Sequence, residues 1–329
     1  MTQIDSSREH AVRGNPAGQS APAASTAEQP PVKAAEDCSG FRLYPDLVYG
    51  RAGVGRRPGM APAMRELRLD LYLPLEPAPA AGWPVLVLAF GGAFHRGDRK
   101  DDTFGEPPNR NNSIAWYCRE FARRGYAACS IDYRLVPEDP VPGDTPVVAD
   151  AGHIPRSRVD QVRQIMGLPA ASDEQLWHGV EAASDDMAMA VRYIKTHSAH
   201  WGLDPSRLAV GGFSAGARTA LNVALGEKEP VAAVLSLSGY MHESDLRRHL
   251  DAGPLFPAIL LVSAEHDLDY VAAGAPAMAR YITGRGLRCE HVQVPQATHF
   301  YPAQAAAIHD ALGTMTVLQA MAGFLEREL

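Results

Sequence analysis

The run from Leu208 to Ala217 constrains the fold of this chain more than any other stretch of its sequence. Its residues, L-A-V-G-G-F-S-A-G-A, carry an apolar, strand-like segment into a G-x-S-x-G pentapeptide centred on Ser214, and a helix-forming segment follows at once. This pattern is typical of a nucleophile elbow, a sharp strand-to-helix turn that exposes a serine hydroxyl. Because the turn strains the serine backbone and leaves no room two residues away, it predicts the need for Gly212 and Gly216.

A serine hydroxyl is a weak nucleophile at neutral pH, so it needs a base to take its proton and an acid to orient that base. In chains with such an elbow, the acid follows the serine and the histidine comes last. The strand-like segment 257–263 is followed by A-E-H-D-L-D, which places three carboxylates just beyond a strand. Glu265, Asp267 and Asp269 are therefore the candidates for the acid.

His299 is the predicted base. An alternating, strand-like segment over 288–294 leads into the loop that contains His299, and this is where the motif order places the histidine. The other histidines of the region have simpler interpretations. His291 falls inside that strand, His309 inside the predicted last helix, and His266 beside the acid.

The chemistry also requires backbone N–H groups to receive the oxyanion that forms when a carbonyl is attacked. An apolar segment over 84–90 leads into G-G-A-F-H-R-G-D, which resembles the H-G-G-G loop of lipases and esterases, with Phe90 replacing the histidine and Ala93 the third glycine. Because the donors are main-chain groups, Gly92 and Ala93 can serve, together with Ala215 after the nucleophile. The segment lacks the Walker lysine and the G-x-G-x-x-G spacing, so we do not expect nucleotide binding.

A fourth motif lies between this loop and the elbow. The sequence S-I-D-Y-R-L-V-P-E over 130–138 is very similar to the D-Y-R-L-x-P-E stretch of hormone-sensitive-lipase-like esterases and related carboxylesterases. With four motifs in the right order, the chain resembles the α/β-hydrolase superfamily from about Leu43 to its carboxyl terminus. The resemblance favours Asp267, because family members with this layout place the acid about four residues beyond the strand. We expect the D-Y-R-L charges to tie loops together near the site.

The resemblance implies an α/β fold with a mostly parallel, twisted sheet of about eight strands flanked by helices. It also implies a cofactor-independent serine hydrolase that cleaves a carboxylic ester of a small to medium substrate through an acyl-enzyme. Ser214, Asp267 and His299 would form its triad. Two alternatives remain: hydrolysis of a small amide or formamide, as in arylformamidases, and non-catalytic ligand binding, as in plant hormone receptors of this fold.

The chain divides into a tail and one domain. Residues 1–38 are rich in Ala, Pro, Ser, Gln and Gly and poor in large apolar side chains, so we expect them to be disordered. Residues 39–329 form the predicted hydrolase domain. Within it, the segment 137–183 departs from a minimal fold and is predicted to be a cap or lid over the site, with an inert surface excursion as the alternative.

Apolar runs and helical spacing predict the remaining elements. Strands are expected over 43–49, 67–73, 85–90, 127–132, 208–213, 231–237, 259–262 and 290–294, the first two antiparallel and the rest parallel. Helices are expected over 113–124, 154–166, 184–200, 215–225, 272–284 and 303–328, with a further capped start at Ser172.

Net charge, apolar runs and cysteine content limit the binding partners and the cellular compartment that we expect for this chain. A formal net charge of −7 argues against nucleic-acid and anionic-membrane partners, and no apolar run reaches the roughly 18 residues of a membrane span. The four cysteines, Cys38, Cys118, Cys129 and Cys289, form no C-x-x-C pair, so we expect no metal site. Without a signal-like segment in the tail, free thiols favour the cytoplasm. A small-molecule ester is the expected partner, no cofactor is expected, and the oligomeric state is left open.

Arg218 lies one helical turn past Ser214. Its side chain can face the site and favour an anionic substrate, or it can pair with a carboxylate on the helix surface. We expect the pairing, which is the common fate of an arginine on a helix.

Overall fold

An eleven-stranded mixed sheet forms the centre of the fold in the computed structural model, which describes residues 35–250 and 256–329. Its strands in chain order are β1 (Glu36–Cys38), β2 (Phe41–Val54), β3 (Ala63–Pro74), β4 (Trp83–Ala89), β7 (Ala127–Ile131), β8 (Leu203–Phe213), β9 (Ala233–Leu237), β10 (Ala258–His266), β11 (Cys289–Thr298), β12 (Ala306–His309) and β13 (Gly313–Thr316). A separate two-stranded ribbon pairs β5 (Gly105–Glu106) with β6 (Asn109–Arg110).

The strand order across the sheet is β1-β2-β3-β7-β4-β8-β9-β10-β11-β12-β13. The first three strands form an antiparallel meander, and the last three pair antiparallel at the other edge. Between them, the six strands from β7 to β11 run parallel. Strands such as β7 and β9 are buried at every residue, because helices cover both faces of a parallel sheet, and their sequences are accordingly apolar except for Ser130 and Ser236.

The register of these parallel strands brings their carboxyl ends to one edge of the sheet. Ala89 pairs with Gly212, Gly212 with Ser236, and Leu237 with Val262. The loops that follow these strands therefore lie side by side, as at the ligand-binding edge of open α/β sheets.

Eight α-helices are described: α1 (Ile114–Ala122), α2 (Arg156–Ile165), α3 (Asp173–Thr196), α4 (Ser198–Trp201), α5 (Ala215–Leu221), α6 (Glu243–Leu250), α7 (Asp269–Thr283) and α8 (Val317–Glu328). Capping residues begin several of them. Ser113 accepts a hydrogen bond from the Trp116 N–H at the start of α1, and Ser172 with Gln175 forms a capping box at the start of α3.

The eight predicted strands are present, the first two antiparallel and the other six parallel as expected, but the sheet has three more strands than expected. β1, β12 and β13 contain three or four residues each and are partly exposed, so they lack the apolar run that identifies a buried strand. β1 also begins inside the tail predicted to be disordered, because Glu36–Cys38 pairs with Phe41–Leu43. The rest of that tail, up to residue 34, lies outside the described residues.

Two predicted helices have different boundaries. The prediction of one helix over 303–328 is wrong in its first half. There, β12 and β13 form a hairpin with Gly313 at positive φ. Pairing of His309 with Val292 overrides the local helical pattern and places His309 on a strand. The helix expected from residue 184 instead begins at Asp173, so the predicted cap boundary at residue 183 falls inside α3.

None of the helices in the described residues is both long enough and apolar enough to cross a membrane.

Candidate active site

Ser214 occupies a strained turn between β8 and α5. Its backbone has φ of 54° and ψ of −112°, and its N–H donates a 2.7 Å hydrogen bond to the Leu237 carbonyl of the neighbouring strand. A Cβ added at Gly212 would lie 2.4 Å from the Ala89 carbonyl oxygen, and one added at Gly216 would lie 2.0 Å from the same atom. The prediction that both positions require glycine is confirmed, because the elbow packs against the end of β4 without space for a side chain.

The structure brings His299 and Asp267 to this serine. His299 follows β11, and its Nε2 lies 2.9 Å from Ser214 Oγ. Its other ring nitrogen, Nδ1, lies 2.5 Å from Oδ1 of Asp267, which precedes α7. A carboxylate only accepts hydrogen bonds, so Asp267 fixes the proton on Nδ1 and leaves Nε2 free to accept the serine proton.

Burial separates the three candidate acids. Asp267 is buried, whereas Glu265 and Asp269 are exposed. Glu265 accepts a hydrogen bond from the Gln296 N–H, and Asp269 opens α7. Of the three, Asp267 is the carboxylate in hydrogen-bond contact with His299.

Four donors surround the Asp267 carboxylate. Besides His299, Ser238 Oγ donates at 2.6 Å and the Ala264 N–H at 3.1 Å to Oδ2, while the Leu268 N–H donates at 2.8 Å to Oδ1. Burial alone would raise the pKa of Asp267, but the hydrogen bonds from His299 and Ser238 outweigh it and hold that pKa below its usual value. Asp267 is thus kept as an anion that can stabilise a protonated imidazole.

The predicted oxyanion loop follows β4. Gly92 and Ala93 both have positive φ, and a Cβ at Gly92 would lie 1.9 Å from the Arg96 carbonyl oxygen. Ala93 and Ala215 line the same cavity as Ser214, whereas Gly92 is not among the described residues that line it. The left-handed turn therefore places Ala93 beside the nucleophile.

Sequence reasoning missed Asp102, which anchors this loop. The buried Asp102 carboxylate accepts hydrogen bonds from the Gly91 N–H at 3.0 Å and from the Ile114 N–H, at the start of α1, at 2.7 Å. Burial raises the pKa of Asp102 to about 7 even though both N–H groups favour the anion. An acidic residue four positions beyond a glycine-rich loop is no recognisable signal, so only the folded chain shows this contact.

The D-Y-R-L segment ties the surrounding elements together, as expected. The Tyr133 hydroxyl donates to the Phe90 carbonyl at 2.8 Å, and its ring stacks on Phe90 with centroids 4.2 Å apart. Arg134 forms a buried ion pair with Asp186 on α3, at 2.8 Å. These contacts hold the end of β4 and the start of the oxyanion loop against α3.

The cavity beside Ser214 is small, with a volume of about 80 Å³. Residues of the predicted cap contribute to one wall: Ile154, Pro155, Arg158 and Val159. Arg218 also lines the cavity, but its guanidinium lies 2.5 Å from the buried Asp245 carboxylate. Arg218 pairs with a carboxylate, as predicted, but the partner is buried on α6 rather than on the surface of its own helix, and Arg218 also faces the cavity.

No group of three or more metal-binding side chains is found among residues 35–250 and 256–329. The groups that the structure brings together at the site are a strained serine, an imidazole in contact with a buried carboxylate, and nearby backbone donors. That set suits proton transfer to and from a serine that attacks a carbonyl.

A sequence comparison supports the fold seen in the structure. A model of the family described as alpha/beta hydrolase fold matches residues 177–252, a segment that contains the elbow around Ser214. The chain has the α/β-hydrolase fold. The mixed sheet, the elbow after β8 and the order of serine, acid and histidine all fit this fold, so the resemblance to the α/β-hydrolase superfamily is confirmed.

Solved structures with detectable similarity to this α/β-hydrolase chain include two esterases. Thermogutta terrifontis esterase 2, phosphoramylated by tabun, is 17% identical, with 84% of this chain and 93% of that chain covered and a TM-score of 0.48. A bacterial heroin esterase is 20% identical, with 79% of this chain and 77% of that chain covered and a TM-score of 0.47. Comparison with curated proteins finds no match. These similarities are too low to transfer an activity to this chain.

Proposed function

We propose that this protein is a serine hydrolase that cleaves a carboxylic ester through an acyl-enzyme. The observation that carries the proposal is the continuous hydrogen-bonded line from Ser214 Oγ through His299 to the buried Asp267. A strained elbow, an oriented imidazole and an anionic acid form a complete nucleophile-activating unit.

In the first half of the reaction, Ser214 Oγ attacks the ester carbonyl carbon while His299 Nε2 takes its proton. The resulting oxyanion accepts hydrogen bonds from backbone N–H groups, for which Gly92, Ala93 and Ala215 are the proposed donors. The tetrahedral intermediate then expels the alcohol, which takes the proton from His299 and leaves an acyl group on Ser214.

In the second half, water attacks the acyl carbonyl carbon and gives a proton to His299. Collapse of this second intermediate returns the proton to Ser214 Oγ and releases the carboxylic acid. Asp267 stabilises the protonated imidazole in both halves without taking up the proton itself.

The small cavity supports a short acyl or alcohol group beside the serine. Its volume of about 80 Å³ is well below the roughly 300–1,000 Å³ of pockets that hold drug-sized ligands. We therefore expect turnover of p-nitrophenyl esters to be highest from acetate to butyrate and to fall toward decanoate. All of this turnover should be lost in Ser214→Ala, and near-normal activity in that variant would overturn the mechanism.

The segment 137–183 serves as the cap in this proposal. Four residues of α2 and the turn before it line the cavity together with Ser214, which supports contact between this segment and bound substrate.

We place the protein in the cytoplasm, a compartment supported by its four free cysteines, two of them buried.

A further inference from the structure

Arg158 is a partly buried cation without an acidic partner in the wall of the cavity. It lies on α2 and lines the cavity that contains Ser214. Within residues 35–250 and 256–329, no carboxylate lies within ion-pair distance of its guanidinium. The guanidinium donates a 2.6 Å hydrogen bond to Oε1 of Gln161. The guanidinium carbon also lies 5.4 Å from the centre of the Phe300 ring.

A second arginine extends this positive region. The Arg96 guanidinium carbon lies 4.8 Å from the centre of the Phe104 ring, and the Phe104 and Phe300 rings are 6.0 Å apart. Arg96 Nε is buried and finds no hydrogen-bond partner among the described residues. Phe300 in turn contacts the imidazole of His299, with ring centres 5.1 Å apart, so the two arginines flank an aromatic surface that begins at the proposed base.

Two other arginines around the site have buried carboxylate partners: Arg218 has Asp245 at 2.5 Å, and Arg134 has Asp186 at 2.8 Å. Arg163 instead contacts the His95 ring at 2.9 Å and donates to the Pro169 carbonyl, and it does not line the cavity. Burial, and to a smaller extent the nearby charge of Arg96, lowers the pKa of Arg158. No carboxylate is among the groups that raise this pKa. An arginine stays protonated in proteins, so this cation is poorly solvated and lacks a counter-charge.

We propose that Arg158, assisted by Arg96, binds a carboxylate carried by the substrate, so that the preferred ester has an anionic group on its acyl or alcohol part. This inference rests on the proposed esterase function and names the substrate class of the same site. A planar guanidinium matches a carboxylate with two parallel hydrogen bonds, and the substrate would supply the counter-charge that the folded chain lacks.

The test compares kcat/KM for matched pairs of esters. For an anionic acyl part, the pair is mono-p-nitrophenyl glutarate and p-nitrophenyl pentanoate. For an anionic alcohol part, it is meta-acetoxybenzoate and phenyl acetate. In one of these pairs, the wild type should prefer the anionic ester, and Arg158→Gln should lower the ratio of anionic to neutral kcat/KM by roughly ten- to a hundredfold.

Three controls make the result specific. Arg158→Lys keeps the charge and should restore part of the ratio. Arg156→Gln removes a charge from the same helix, where Arg156 already pairs with Asp173, and should leave the ratio unchanged. Arg96→Gln should lower the ratio less than Arg158→Gln does, because Arg96 packs on the Phe104 ring and is not among the described cavity-lining residues.

Equal kcat/KM within both pairs, or a ratio that Arg158→Gln does not change, would overturn the inference while leaving ester hydrolysis intact. Failure of the wild type to cleave any of the four esters would instead overturn the proposed function, and the anionic preference with it.

Discussion

Ser238 donates a 2.6 Å hydrogen bond to Oδ2 of Asp267, the carboxylate oxygen that does not face His299. Ser238 follows β9, whose last residue, Leu237, pairs with Val262 of β10, and β10 leads directly into Asp267, so groups from two neighbouring strands hold the acid. The acid is therefore oriented by the sheet before any substrate binds, which is the condition for rapid proton transfer at the serine.

Removing this hydrogen bond should misorient the acid and weaken its charge. We expect Ser238→Ala to lower kcat by about tenfold, since a hydrogen bond to a charged group contributes about 1.5–3 kcal/mol. The buried serine Ser236, which donates to the Gly239 carbonyl, provides the control. A kcat for Ser238→Ala equal to that of Ser236→Ala would show that Asp267 does not need this support.

The same substitution should change stability in acid. The pKa of Asp267 is lowered in the folded chain, so its contribution to stability is present above the unfolded pKa of about 4 and is lost as pH falls through the folded pKa. Because Ser238→Ala raises that folded pKa toward the unfolded value, the acid-induced loss should be smaller and should be complete at a higher pH than in the wild type. Urea midpoints measured from pH 3 to 7 test this, and identical pH profiles would contradict it.

The identity of the acid can be tested by comparing three substitutions. We expect Asp267→Asn to lower kcat by about ten-thousandfold, because an amide holds the imidazole in the wrong tautomer. Glu265→Gln and Asp269→Asn alter exposed side chains and should keep kcat within about twofold. Steady-state kcat values with p-nitrophenyl butyrate test all three variants. A larger loss of kcat in Glu265→Gln or Asp269→Asn than in Asp267→Asn would identify that exposed residue as the acid instead.

The tight elbow predicts a stability effect at Gly216. An alanine Cβ there would lie 2.0 Å from the Ala89 carbonyl oxygen, so Gly216→Ala should destabilise the protein by about 1–3 kcal/mol and reduce activity. Gly323 lies in α8, where an added Cβ meets nothing closer than 3.5 Å. Gly323→Ala should stabilise by about 0.5–1 kcal/mol, and urea denaturation that gave both variants the same sign would be inconsistent with the packing described.

Asp102 should make stability fall between acidic and neutral pH. Its folded pKa of about 7 exceeds the unfolded value of about 4, so the folded state holds a proton in this interval that the unfolded state releases. Stability from this group therefore decreases as pH rises toward 7. Asp102→Asn abolishes that slope and leaves the Gly91 or Ile114 N–H without an acceptor. Urea midpoints from pH 4.5 to 8 should show a flatter, lower profile, and an unchanged slope would contradict this role.

The parts of the fold and site that were predictable from sequence depend on local patterns and chain order. The apolar run before Ser214 and the glycines around it identify the elbow, because strain and close packing act within five residues. The order of motifs also identifies the segments that carry Asp267 and His299, since parallel strands bring successive carboxyl ends to one edge.

What the sequence could not predict depends on contacts between distant segments. Ser238 and Asp102 act through single hydrogen bonds across loops, which leave no periodic pattern. The hairpin of β12 and β13 forms where an alanine-rich segment favours a helix, because pairing with β11 outweighs that local preference. Arg158 lines the cavity together with neighbouring residues of α2 and the turn before it, and its position on a predicted helix gave no indication of this.

The most direct test of the central claim is intact-protein mass spectrometry after incubation with a fluorophosphonate. The account predicts one adduct on the wild-type chain, located at Ser214 by peptide mapping, and none on a folded Ser214→Ala variant. An unlabelled but folded wild type, or equal labelling of Ser214→Ala, would contradict the assignment of Ser214 as an activated nucleophile.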